Sequence, residues 1–263
     1  MLMPSLAIAL YLAAAALLWR STAGGSAPGR GWIPLAALAV LFHVETHVEA
    51  WRLLQGPDMH FFAALSLTGI GMAALTAAFG ASGRMPALGI VVLPLAALSL
   101  LGYALYGHAD AASSLGWRLQ LHAWLALLAY ATLALAAVLA GFLWAQERAL
   151  RRREFHAWLR ALPPLTELET LLFRTIAVGF VLLTATLLTG VLFVENLFAQ
   201  HLVHKTVLSL LSWLAFGALL AGRWRLGWRG ATAVRWTLAA MAQLLLAFFG
   251  SKFVLELVLH RGG

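Results

Sequence analysis

Between Pro86 and Tyr106 the chain runs for 21 residues without one charged side chain. A hydrocarbon layer of about 30 Å is crossed by roughly 20 helical residues, each rising about 1.5 Å. This window is therefore long enough to span a membrane. Seven others read the same way: Leu2–Trp19, Trp32–Trp51, His60–Phe79, Leu121–Trp144, Leu171–Leu197, Thr206–Ala221 and Val234–Leu259. With 62% hydrophobic residues and 11% charged ones, the chain lacks the polar surface that a water-soluble domain needs. In hydrocarbon the backbone must satisfy its own N–H and C=O groups, by helices or by a closed barrel. None of the windows shows the apolar–polar alternation of a barrel strand. The expected fold is all-α, a polytopic transmembrane bundle of about eight spans. It is expected to form a single integral-membrane domain over residues 1–263, with no linker and no internal repeat.

Short loops rich in Lys and Arg stay on the cytoplasmic side. If the N-terminus is outside, thirteen of the eighteen basic residues fall at cytoplasmic ends, and Arg52, Arg118, Lys205, Lys252 and Arg261 remain outside. The first window has no basic residue ahead of its apolar core and carries Arg20 after it, so it reads as a retained helix rather than a cleaved signal. An even number of spans then places the C-terminus outside as well. The formal charge of +8 records topology; the expected partner is the lipid bilayer, and no nucleic acid is expected. The long polar segment "ERALRRREF" with "HAWLRALPPLTELE" lies inside. There Pro163-Pro164 should interrupt any helix, and the arginines suit anionic lipid.

This orientation sorts the histidines. His43 and His47 lie in the outer half of the second span, and His60, His108, His122, His201, His204 and His260 at outer helix ends or loops, leaving His156 inside. Imidazole ligates haem iron and transition metals and titrates near neutrality, so haem ligation, metal binding and a proton relay are the uses that fit. The chain has no cysteine, which excludes thiol–disulfide chemistry, iron–sulfur ligation by its own thiolates and covalent haem attachment.

In "FHVETHVEAW", His43 and His47 share one helical face, with Glu45 and Glu49 roughly opposite. Such a pair is part of a metal site at most, and no H-E-x-x-H motif accompanies it. The two histidines are secondary candidates for a haem or substrate cavity. Nothing resembles a phosphate loop, a nucleophile–base pair or a paired-carboxylate site, so an enzyme with its own bond-making chemistry is not expected.

Three patterns lie in the second half of the chain: H-x-x-L-x-x-L-x-Y-A from His122, H-K-T-x-x-S-L-L-S-W from His204 running on to G-R-W-R-x-G-W-R-G, and F-G-S-K-F-V from Phe249. Together they resemble the inner-membrane cytochrome c assembly family, most of all its YpjD and HemX branch, which is related to the haem-handling CcsA and CcmC proteins. The resemblance covers Leu119 to His260 well, and the first four spans by hydropathy and order. It implies a bacterial inner-membrane protein that handles haem at the outer face and assists cytochrome c assembly. Haem b would be the cofactor, and apocytochrome or other maturation proteins the partners. It further implies His122 and His260 as axial ligands of the haem iron, with His204 and Lys205 completing the cofactor site. The family's tryptophan-rich W-G-x-x-W-x-W-D-P-K-E-T loop has no counterpart here: "LFVENLFAQHLVHKT" holds neither tryptophan nor aspartate. A HemX-like regulatory or scaffold protein without a cofactor is the alternative. A metal or small-solute transporter fits less well, because the inner halves of the spans lack polar positions.

Overall fold

The computed structural model describes residues 2–24, 29–83, 85–107, 116–153, 162–193, 203–250 and 252–253. Among them the chain forms eight helices and no strand: α1 (Leu2–Ala23), α2 (Trp32–Leu54), α3 (Phe61–Ala81), α4 (Leu88–Tyr106), α5 (Trp117–Arg152), α6 (Leu165–Phe193), α7 (Val203–Leu226) and α8 (Gly230–Leu245), the last continued by a π-helical turn, Leu246–Gly250. Each is long and apolar enough to cross a membrane. The eight hydropathy windows fall on these eight helices in order.

The largest departure from the windows is α5, whose 36 residues extend about 54 Å, well beyond a hydrocarbon layer. Its excess at the C-terminal end is "AQERALRR", rich in helix formers that hydropathy does not register. The helix ends at Arg153, which takes a left-handed conformation with φ 55°. Pro163-Pro164 does precede a helix start. The Pro164 carbonyl accepts from the N–H groups of Glu167 at 2.9 Å and Leu168 at 3.0 Å, closing the first turn of α6.

The residues group into two compact units, 1–113 with 145–168, and 114–144 with 169–263. In the first, α1 packs on α2 and α4, and α3 packs on α2 and α4. Tyr11, Leu18, Trp32, Ala36, Ala73 and Leu93 form its core. Small residues set the helix spacing, as expected where apolar lipid gives no hydrophobic drive to association. The Trp32 ring occupies the space that a side chain at Gly80 would fill. Large apolar residues such as Leu98, at 62% exposure, point outward, which is the pattern of a lipid-facing surface.

In the second unit α7 packs on α8, and Ser212 of α7 donates to the Ala240 carbonyl of α8 at 2.8 Å. The G-R-W-R-x-G-W-R-G motif is the turn between these two helices, and the buried carboxylate of Glu169 in α6 holds it. Glu169 Oε1 accepts the Gly230 N–H at 2.9 Å, and Oε2 faces Arg223 at 3.8 Å and Arg229 at 3.6 Å. The Arg223 guanidinium lies 4.8 Å over the Phe173 ring and donates to the Trp228 carbonyl at 3.3 Å. Gly227 and Gly230 take φ of +67° and +52°, conformations with little steric cost for glycine.

Candidate functional site

Four helices and the π turn of the second unit line a cavity of ≈ 310 Å³. On α5 its wall is His122, Ala126 and Tyr130, each four residues after the last and so on one face. On α6 it is Leu183, Thr186, Leu187, Gly190 and Val191, again one helical face. Lys205, Thr206 and Ser209 come from the start of α7, and Leu244, Ala247 and Phe248 from the end of α8 and its π turn. The wall is mainly apolar, with a few polar groups.

Hydrogen bonds set the state of the His122 ring. Its Nδ1 is 3.1 Å from Thr189 Oγ1. That hydroxyl also lies 2.9 Å from the carbonyls of Ala185 and Thr186 within α6, to either of which its single proton can turn. With the proton on a carbonyl, the oxygen accepts from His122 Nδ1–H, and Nε2 keeps the lone pair that a metal or a donor would use. A side chain at Gly190 would meet the imidazole at 3.2 Å, so glycine there leaves room for the ring.

The π turn fixes the opposite wall. Where backbone pairing changes from four residues to five, a carbonyl becomes available to another donor, and the Tyr130 hydroxyl donates to the Leu244 carbonyl at 2.6 Å. Tyr130 thus ties α5 to the end of α8. On the other flank Trp213 of α7 stacks on Phe180 of α6 at 5.6 Å and donates to Thr184 at 2.9 Å.

Of the residues singled out from sequence, His122 and Lys205 line this one cavity. His204, beside Lys205, is exposed. His260, His108, His156 and His201 lie outside the described residues. Sequence reasoning missed Thr189 and Gly190, whose "TATLLTG" context reads as close helix packing. The Thr186, Thr189 and Gly190 spacing on one face was the available signal.

His43 and His47 belong to the first unit. Their rings stack 5.7 Å apart, as the shared face requires, and both lean on Ser66 of α3. No group of three or more His, Asp or Glu side chains among the described residues is arranged to hold a metal ion. Of the glutamates opposite, Glu45 is partly exposed and pairs with Arg52 at 3.6 Å, and Glu49 is exposed. In the loop before α3, Asp58 is bonded through one oxygen to the His60 ring and accepts the Tyr103 hydroxyl on the other at 3.3 Å. Burial alone would push this carboxyl up, but the hydrogen bonds and charge of His60, with the Tyr103 hydroxyl, outweigh it and hold it below the usual carboxylate range.

The chain is 38% identical over 137 residues to the inner membrane protein YpjD of Escherichia coli, an alignment covering 52% of each chain. It is 39% identical over 145 residues to an uncharacterized 28.8 kDa protein of Azospirillum brasilense, covering 54% of this chain and 53% of that one. With the cytochrome c biogenesis protein CcsA of Prochlorococcus marinus the identity is 33% over 99 residues, 37% of this chain and 31% of the relative. The chain thus spans about half the length of the first two relatives it matches. No solved structure matches it significantly. The family model described as cytochrome C assembly protein matches residues 32–259, and this multi-pass helical membrane protein belongs to the cytochrome c assembly family.

Proposed function

We propose that the chain handles haem b at the outer face of the bacterial inner membrane, in the cavity beside His122, in support of cytochrome c assembly. The observation that carries this reading is His122 itself: an imidazole on the wall of an apolar cavity, with Nδ1 tied to Thr189 and Nε2 left as the ligand nitrogen. A hydrogen bond to the far ring nitrogen of this kind fixes the tautomer of a metal-ligating histidine. The donor set suits haem, which brings an iron that accepts neutral imidazole, a large apolar ring, and two propionates. Lys205 on the cavity wall supplies a cation for a propionate. The apolar faces of α5 and α6 supply contact for the ring and exclude water. With no cysteine in the chain, haem would be held without a covalent bond. His260, ten residues beyond Gly250, is the proposed second axial imidazole, and apocytochrome or other maturation proteins are the proposed recipients.

The test is the absorption spectrum of the full chain purified in detergent from haem-replete cells. A Soret band with a bis-imidazole visible pattern is expected, strongly reduced in His122→Ala and in His260→Ala. Purified protein with no haem, and unchanged cytochrome c maturation when His122, Lys205 and His260 are all replaced, would leave a scaffold role as the surviving reading.

A further inference from the structure

The turn between α7 and α8 carries more positive charge than its own structure neutralises. From Val203 to Gly250 the sequence holds no acidic residue, while Arg223, Arg225, Arg229 and Arg235 fall within 13 positions. Among the described residues the carboxylate that reaches them is Glu169 of α6, and both its oxygens are occupied. Four guanidinium groups against one carboxylate leave three charges uncompensated. Arg223 is the engaged one: its side chain is 25% exposed, and Glu169, the Phe173 ring and the Trp228 carbonyl hold it. Arg229 faces Glu169 through Nε, and its side chain stays 65% exposed. Arg225 and Arg235 are exposed, and among the described residues neither forms an ion pair.

Large apolar side chains are exposed among these cations. Trp224 is 82% exposed, Leu226 70% and Trp236 37%. The Arg225 guanidinium lies 5.6 Å from the centre of the Trp224 ring, a cation–π contact that holds the two together. The turn beneath them is packed. The Trp228 ring fills the space that a side chain at Gly222 would take and pairs with the Trp236 ring of α8 at 5.4 Å, and the Trp228 N–H donates to the Gly222 carbonyl at 3.2 Å. Glu169 thus fixes Arg229 and Gly230, and the aromatic pair fixes the end of α7 against the second turn of α8.

The length of α7 says at what depth this surface lies. Its 24 residues rise about 36 Å, against about 30 Å for a hydrocarbon layer. With His204 and Lys205 at one end and Arg223 and Arg225 at the other, both ends reach the headgroups. Tryptophan is favoured at that level, and the positive-inside rule puts this end in the cytoplasmic leaflet. There a guanidinium meets phosphodiester oxygens with its paired N–H groups. A soluble anion would satisfy the arginines and leave Trp224 and Leu226 in water. A phospholipid answers both needs, with phosphate for the guanidinium groups and acyl chains for the apolar side chains.

We propose that the α7–α8 turn binds an anionic phospholipid, its phosphodiester held by Arg225 and Arg229 with Arg235 adding charge, and its acyl chains lying along Trp224, Leu226 and Trp236. A zwitterionic phospholipid brings the same phosphate together with a cation, which the three uncompensated charges repel. The site is one headgroup at a packed turn. It differs in this from the arginines at the end of α5, whose charge attracts an anionic leaflet as a whole. Nothing in it requires haem.

The test uses the full chain purified in detergent and titrated with phosphatidylglycerol or with phosphatidylcholine of the same acyl chains. Native mass spectrometry reads the fraction of protein carrying one lipid. Phosphatidylglycerol is expected to bind more tightly, by about 10-fold or more. Arg225→Gln with Arg235→Gln leaves the Glu169 clamp intact and should weaken it about 25-fold, about fivefold for each arginine. The corresponding pair of Lys substitutions should recover most of that affinity, because the charge returns. Trp224→Ala should weaken both lipids and keep the preference between them. Replacing Arg151, Arg152 and Arg153 by Gln removes three charges at the end of α5 and should leave binding of the first phosphatidylglycerol unchanged. Loss of affinity there equal to that of the turn variant would mean diffuse attraction and overturn the proposal. So would equal binding of the two lipids by the unaltered chain. Displacement of bound phosphatidylglycerol by an equal concentration of glycerol phosphate would make the turn a site for a soluble anion, and would overturn it as well.

Discussion

At the scale of single residues, the chemistry assigned to His122 depends on a hydroxyl that touches neither cavity nor cofactor. With its own proton turned to an α6 carbonyl, Thr189 accepts from His122 Nδ1 and favours the tautomer that leaves Nε2 free. Thr189→Val keeps the shape and removes the acceptor. Haem affinity is expected to fall about 10- to 100-fold, the usual cost of losing an outer-shell partner of a ligating histidine. Thr189→Ser should stay near wild type, and titration of the apoprotein with haemin distinguishes them. Asp58 gives a second residue-level expectation. Its carboxyl is held below the usual carboxylate range, so the folded state favours its ionised form. That stability is fully present above the unfolded value of about 4 and is lost as pH falls through the lower folded value. Thermal unfolding in detergent micelles should show the protein weakening towards acid, and Asp58→Asn should remove the part of that slope due to this group.

At the scale of elements, the α7–α8 turn is held by one carboxylate from another helix. Removing Glu169 strands Arg223, which is three-quarters buried at its side chain, and leaves the Gly230 N–H without its acceptor. Glu169→Ala is expected to cost about 3 kcal/mol, in line with breaking one side of a buried ion pair. Glu169→Gln should cost less because its carbonyl still accepts from Gly230. Denaturant unfolding of both variants in the same micelles checks the order. This clamp also shows where sequence reading stops. The helices were legible because lipid-facing and buried faces are both apolar, so a span is a plain run of hydropathy with no periodicity to decode. The overhang of α5 was not, since charged helix formers look like loop. Glu169 was unremarkable in "TELE" because its partners lie 54 to 61 residues away. His122 could be picked out from the family resemblance, since helix-end position alone is shared by five other histidines, and Lys205 from the motif that contains it. The exposure of His204 could not, because one residue along a helix changes the face by about 100°.

At the scale of the whole molecule, the placement of charge makes a claim about orientation that every functional statement above inherits. Thirteen basic residues against five put the N-terminal start of α5, and with it His122, on the outer side if the positive-inside rule holds. A reporter fused after Arg153 is expected to be active only in its cytoplasmic form, and one at Gly263 only in its outer form. The triplet Arg151, Arg152 and Arg153 contributes three of the thirteen. Changing all three to Gln leaves ten against five, so the sign of the asymmetry survives. Each basic residue near an anionic leaflet contributes about 1 kcal/mol of attraction, so the loss should appear as a smaller fraction of correctly inserted chains. The inserted chains should keep their orientation, with haem binding unchanged at the far end of α5. Inversion of the reporters in this variant would mean that these three arginines alone set the topology. Outer-form activity after Arg153 in the unaltered chain would place His122 on the cytoplasmic side and overturn the proposed outer-face role.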